Sequence, residues 1–294
     1  MTRSNNDIIE GFKRIDKIIA SQANKNKEGL SNAKLKPFHH LFPFSQNGIC
    51  PFIAGVGRGK TFNYLKLAAQ QQEIFDKPIF EHVVICSTSG EFDETVNTFK
   101  TIINKSKLRI ISDDDLLPFL ENHIEKSLLH KTIMKFVKNN FKNPNEKMLE
   151  IIERNRLNKK EKLLEFITKT LIDIGWEDYP SRMLLILDDF ASHPSLKKRD
   201  SPLPKLLKKL RHFNINVFIC VQNVKLVTKD LKRDLQDLVL FPGISEEDFI
   251  DLMRETGATS VLGYKELWEN YRKIKDPQSQ FRIHIIAKRV IIIL

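Results

Sequence analysis

The run Ala54-Gly-Val-Gly-Arg-Gly-Lys-Thr61 sets three glycines, a lysine and a hydroxyl at the spacing that binds a polyphosphate. Gly55, Gly57 and Gly59 let the backbone wrap close around phosphate oxygens. The candidates for nucleotide binding are therefore Gly55, Val56, Gly57, Arg58, Gly59, Lys60 and Thr61. Lys60 is expected to reach the β- and γ-phosphates, and Thr61 to offer its hydroxyl to Mg²⁺. One position departs from the usual pattern: Ala54 stands where the first glycine is normally found. An apolar run precedes the loop and a helical run follows it. A phosphate-binding loop requires that context, although a plain glycine-rich turn can share it.

A second constellation lies downstream. Met183-Leu-Leu-Ile-Leu-Asp-Asp-Phe190 reads as an apolar strand ending in two carboxylates. In a parallel sheet its C-terminal end is expected beside the glycine loop. Asp188 is then expected to support Mg²⁺ through water, and Asp189 to orient or deprotonate an attacking water. A third strand, Val217-Phe-Ile-Cys-Val, ends in Gln222, whose amide suits a γ-phosphate or a lytic water. Lys60, Asp189 and Gln222 make up the candidate catalytic set. There is no Asn-Lys-x-Asp guanine-reading motif, Cys/His cluster, Gly-x-Ser-x-Gly or His-Glu-x-x-His, which disfavours a GTPase switch and covalent or zinc hydrolysis.

These residues need a scaffold, and the rest of the chain describes one. Apolar runs at 49–54, 82–87, 108–112, 183–187, 217–221 and 238–241 alternate with helical stretches. Near-continuous apolar runs are the mark of strands buried on both faces of a parallel sheet. The expected class is α/β, a P-loop NTPase of RecA/FtsK-like type with a mainly parallel sheet flanked by helices. A helical insertion is expected at about 113–176, where the spacing turns charged and helical. Runs 281–286 and 290–294 suggest a terminal hairpin near the sheet edge. The division expected is a preamble over 1–48, with a helix at 7–20, a polar stretch and an aromatic patch at 39–44. An ATPase domain over 49–294 follows.

At 294 residues, 41% of them hydrophobic and twenty of them Phe, the chain is neither a stapled mini-protein nor wholesale disordered. No apolar run approaches the roughly 18 residues of a membrane span, so no membrane partner is expected. The opening MTRSNNDIIEGFKRID has no apolar core of a secretory signal, so a non-secreted chain is expected. Cys50, Cys86 and Cys220 each sit in an apolar run and read as buried free thiols in a reducing compartment.

Net charge is +11, and it is concentrated. Residues 195–233 hold eleven Lys/Arg against two Asp, 11 − 2 = +9. Such a field favours a polyanion partner, nucleic acid before anionic membrane. The DNA-binding candidates are Lys197, Lys198, Arg199, Lys205, Lys208 and Lys209. Lys205, Lys208 and Lys209 share one helical face, with Leu206, Leu207 and Leu210 on the other.

The ordered set 54–61, 184–190 and Leu210-Arg-His-Phe-Asn-Ile-Asn-Val-Phe-Ile-Cys-Val-Gln222 resembles the genome-packaging ATPases of large DNA viruses, poxvirus-type and virophage-type. These belong to the FtsK/HerA-like branch of P-loop motors. The Arg211-His212 pair ahead of the Gln-ended strand is the most distinctive part, and coverage runs roughly over residues 49–243. The resemblance implies ATP as fuel with Mg²⁺ and a ring-shaped homo-oligomer, a pentamer or hexamer. It also implies double-stranded DNA as cargo, a viral capsid as partner, and a place in the host cytoplasm (the virus factory) or the virion. It further implies an arginine acting in trans, for which Arg211, Arg233, Arg254 and Arg272 are candidates. Two other functions stay open. One is a P-loop kinase or other NTPase that does not act on DNA. The other is a DNA-binding scaffold whose loop is degenerate at Ala54.

Overall fold

The computed structural model describes residues 48–55, 57–71, 80–87, 94–103, 107–176, 182–188, 202–275, 280–286 and 289–293. The expected helix at 7–20, the polar stretch after it, the patch at 39–44, Val56, Asp189, Lys197, Lys198 and Arg199 lie outside them.

Strand β1 (Ile49–Ile53) is buried throughout and leads through the glycine loop into helix α1 (Lys60–Gln71). Then come β2 (His82–Cys86), α2 (Glu94–Ile102) and β3 (Lys107–Ile111). Helices α3 (Asp113–Lys138), α4 (Glu146–Arg154) and α5 (Lys160–Asp173) follow. The chain returns through β4 (Met183–Leu187), α6 (Pro202–Leu210), β5 (Ile215–Val221), the single turn α7 (Lys229–Lys232) and β6 (Asp237–Leu240). It then runs through α8 (Glu246–Glu255), α9 (Tyr264–Arg272), β7 (Phe281–Ile286) and β8 (Arg289–Ile293).

The strands form one eight-stranded sheet in the order β3-β2-β4-β5-β1-β6-β7-β8. All pairings among β1 to β6 are parallel, and β7 and β8 close one edge antiparallel. The fold class is therefore α/β with a mostly parallel sheet flanked by helices, and the expected terminal hairpin is present. Strand β5 starts two residues earlier than the apolar run suggests. Asn214, at φ 59°, makes the left-handed turn into it. Buried Asn216 continues the strand opposite Leu184. Edge strand β3 is only half-buried, and Lys107 and Arg109 stand exposed on it, as suits an edge that must not pair with another chain.

Phe52 and Phe218, on neighbouring strands, meet at 5.1 Å, and Phe62 packs edge-on against Phe99 of α2. Each such side chain, fully buried, stabilises by roughly 1.5–3 kcal/mol. Cys50, Cys86 and Cys220 are buried free thiols, as their apolar surroundings suggest.

Two ionisable side chains face each other across β6 and β7. Asp237 and His284 are register partners, and His284 Nδ1 lies 2.9 Å from Asp237 Oδ1 in a buried site. Deleting one member leaves a buried carboxylate short of a donor. His284→Leu is therefore expected to lower stability by roughly 3 kcal/mol. A thermal melt of variant and parent side by side checks this, and an unchanged midpoint contradicts it.

Residues Asp114–Ser181 form a compact unit of their own. Ile133, Phe136, Met148, Leu157, Leu163 and Ile167 make its core. The turns between its helices are set by local chemistry. Asn145 caps α4 by accepting from the Met148 N–H at 2.9 Å. Asn140, Phe141 and Asn143 take left-handed backbone ahead of it. Phe141 tolerates φ 61° because its ring packs edge-on against Phe136 at 5.4 Å. Among the described residues no helix is long and apolar enough to cross a membrane.

Candidate active site

In a parallel sheet all C-terminal strand ends share one edge, so the ends of β1, β4, β5 and β6 come together there. The glycine loop follows β1, Asp188 follows β4 and Gln222 follows β5. The acidic strand is not the immediate neighbour of the loop strand: β5 runs between them. Gln222 is thereby set between loop and carboxylate, with its side chain exposed. Ala54 N–H donates to Val221 O at 3.1 Å, which ties the start of the loop to the residue before Gln222.

The loop depends on two glycines with backbone that other residues avoid. Gly57 has φ +72° and Gly59 φ +74°. Gly59 O accepts twice from Asn63, from its backbone N–H at 3.0 Å and from Nδ2 at 2.8 Å. Asn63 Oδ1 in turn accepts from Gln280 Nε2, immediately ahead of β7. The end of the loop is thus tied to the first turn of α1 and to the antiparallel edge. Lys60 opens α1. Its buried ammonium donates to Ala54 O at 2.9 Å and Gly55 O at 3.0 Å. These bonds fold the lysine back over the loop it would serve.

Asp188 is held just past β4, where its N–H donates to Cys86 O at 2.9 Å. Its side chain is buried, and Oδ2 accepts from two hydroxyls of α1. Thr61 Oγ1 donates at 3.1 Å and Tyr64 Oη at 2.6 Å. Thr61 and Asp188, 127 residues apart in sequence, are therefore in direct contact. Tyr64 is fully buried, and its ring stands edge-on to Phe52. Burial, and then the charge of Asp188, push its phenol well above the ordinary tyrosine range, so it stays a donor at neutral pH.

This donor set is oxygen-only, a hydroxyl and a carboxylate, which suits Mg²⁺. Among the described residues no group of three or more His, Cys, Asp or Glu could cage a metal. Mg²⁺ in nucleotide sites takes few protein ligands and completes its shell with phosphates and water.

The sequence singled out Lys60, Thr61, Asp188 and Gln222, and all four lie at one sheet edge. It missed Tyr64, Asn63 and Gln280. Tyr64 stands three residues after Thr61 and four after Lys60, on their helix face, but that spacing does not set it apart from a core position.

In α6, Leu203, Leu207 and Leu210 are buried, Lys208 is half-buried and Lys209 exposed; the side chain of Lys205 is outside the described set. Lys208 pairs with Asp234 at 2.8 Å. Lys208 and Arg211 line a cavity with Gly48 and Ile215, at the sheet edge opposite the glycine loop. Arg211, Arg233, Arg254 and Arg272 are all exposed. Arg254 is engaged with Asp251 on its own helix at 3.2 Å.

No protein-family model matches the chain, and no curated protein matches it. Solved structures do. The genome packaging NTPase B204 from Sulfolobus turreted icosahedral virus 2, in complex with ATP-gammaS, is 12% identical with a TM-score of 0.45. That match covers 84% of this chain and 97% of the other. The conjugation coupling protein TcpA of pCW3 is 13% identical at TM-score 0.39, covering 84% of this chain and 59% of that one. The cytoplasmic domain of the type VII secretion ATPase EccC from Thermomonospora curvata is 14% identical at TM-score 0.44, covering 83% and 24%. A viral genome packaging NTPase, a conjugation coupling protein and a type VII secretion ATPase are thus among the solved structures to which this chain is similar.

Proposed function

We propose that the chain is an ATP-hydrolysing translocase that packages double-stranded viral DNA into a capsid. The observation that carries the nucleotide part is the contact of Thr61 Oγ1 with Asp188 Oδ2, at the mouth of a glycine loop whose lysine is in place. A lone glycine turn needs no carboxylate from another strand against its first helical hydroxyl. The DNA part rests on the basic stretch over 195–233 and on the ordered motifs of the sequence.

In this reading the loop N–H groups and Lys60 hold the ATP phosphates. Thr61 and Asp188 hold Mg²⁺, which when bound neutralises phosphate charge. Asp189 takes or orients the proton of the attacking water, and Gln222 registers the γ-phosphate from its place between loop and carboxylate. Lysines of the 195–233 stretch, Lys209 among them, follow the DNA backbone without reading bases. A ring of five or six copies encloses the duplex at the capsid, in the virus factory or the virion, and one of the exposed arginines reaches the neighbour's site.

The test is steady-state ATP turnover by the purified chain at ring-forming concentration, with and without long double-stranded DNA. Turnover that rises with DNA is the expected result. Turnover indifferent to DNA points to an NTPase with another substrate. No turnover points to a scaffold with a degenerate loop.

A further inference from the structure

We propose that Tyr64 is a positioning residue for the Mg²⁺ site, its buried phenol fixing the orientation of the Asp188 carboxylate. The inference rests on the nucleotide-binding reading above and extends it to a residue that no phosphate-loop pattern includes.

Three observations carry it. Tyr64 Oη donates to Asp188 Oδ2 at 2.6 Å, the shorter of the two bonds from α1 to that oxygen. Both partners are buried, so solvent does not offer a substitute donor. The ring is locked edge-on against Phe52, with no exposed surface, so the hydroxyl is held from a rigid base. A carboxylate with one oxygen pinned by two hydroxyls has a fixed plane. That plane is then set before any nucleotide arrives. In this reading Thr61 meets the metal through the lone pairs of the same oxygen whose proton Asp188 accepts, so its bond to the carboxylate shifts with the metal. Tyr64 has no such second duty.

The role predicts a particular defect. Tyr64→Phe keeps the ring and its packing and removes only the donor. Affinity for methylanthraniloyl-ATP in EDTA should match the parent within about twofold. The Mg²⁺ concentration needed for half-maximal tightening of that binding should rise about tenfold, the cost of one hydrogen bond to a charged group. Saturating Mg²⁺ should restore binding. A merely structural phenol would lower the melting temperature and leave the Mg²⁺ titration where it was. Superimposable titrations of variant and parent overturn the proposal.

The double variant Tyr64→Phe/Asp188→Asn guards against a poorly folding single one. With the carboxylate gone, removal of the hydroxyl should add no further shift in Mg²⁺ response over Asp188→Asn alone. An added shift of the same size overturns the assignment of Tyr64 to Asp188. The parent distinguishes the two levels of failure. A parent that does not bind the analogue, with or without Mg²⁺, overturns both this inference and the nucleotide-site reading. A responsive parent with an unaltered Tyr64→Phe overturns this inference alone.

Discussion

Lys60→Ala is expected to weaken ATP binding by roughly 10²- to 10³-fold and to abolish turnover, the scale of truncating one partner of a desolvated charge pair. The ammonium sits between Ala54 O and Gly55 O, inside the loop, in a buried site. Alanine removes the full positive charge that donates to the loop's own carbonyls. Neighbouring N–H groups still offer partial charges, so weak binding of phosphate persists. The two loop carbonyls lose their donor as well, but they can turn to water at a cost of about 1 kcal/mol, too small to unfold the sheet. Isothermal titration with ATP and Mg²⁺, beside a melt, separates lost binding from lost folding. A variant that binds ATP as the parent does would falsify the assignment of this loop.

The second large effect is expected at the acidic strand end. Asp189→Asn should leave ATP binding within a few-fold of the parent and slow turnover by about 10²- to 10⁴-fold, the range lost with a general base. Asp188→Asn should behave differently. Asp188 carries the charge that Thr61 and Tyr64 converge on, so its loss should raise the Mg²⁺ requirement as well as slow turnover. The contrast separates the carboxylate that handles water from the one that handles metal. Parental turnover in Asp189→Asn contradicts the catalytic assignment, and identical Mg²⁺ responses of the two variants contradict the division of labour.

How much of this was legible in the sequence follows from what each signal depends on. Strands of a buried parallel sheet are written as local apolar runs, so β1, β2 and β4 could be read within a residue of their ends. The glycine loop was legible because backbone conformation there demands glycine at fixed positions, as at Gly57 and Gly59. Strand order was not. Which strand lies between β1 and β4 depends on how helices pack across the sheet, and no local pattern encodes it. The partner of Asp188 was half legible. Thr61 belongs to the motif, whereas Tyr64 looks like one more apolar position of a buried helix until the fold brings a carboxylate to it. The Asn63–Gln280 tie joins residues 217 apart and leaves no trace in spacing. The Asp237–His284 pair was hidden for the same reason: Asp237 stands just ahead of the run at 238–241 and His284 inside the run at 281–286, and no spacing links them.

The central claim is that ATP turnover by this chain moves it along duplex DNA. The most direct measurement is displacement of a third-strand oligonucleotide from a long linear duplex, followed with ATP, with a non-hydrolysable analogue and with Lys60→Ala. The account predicts displacement by the parent with ATP alone, at a delay that grows with the distance from the duplex end to the third strand. Vigorous ATP hydrolysis on that duplex with the third strand left in place would contradict it.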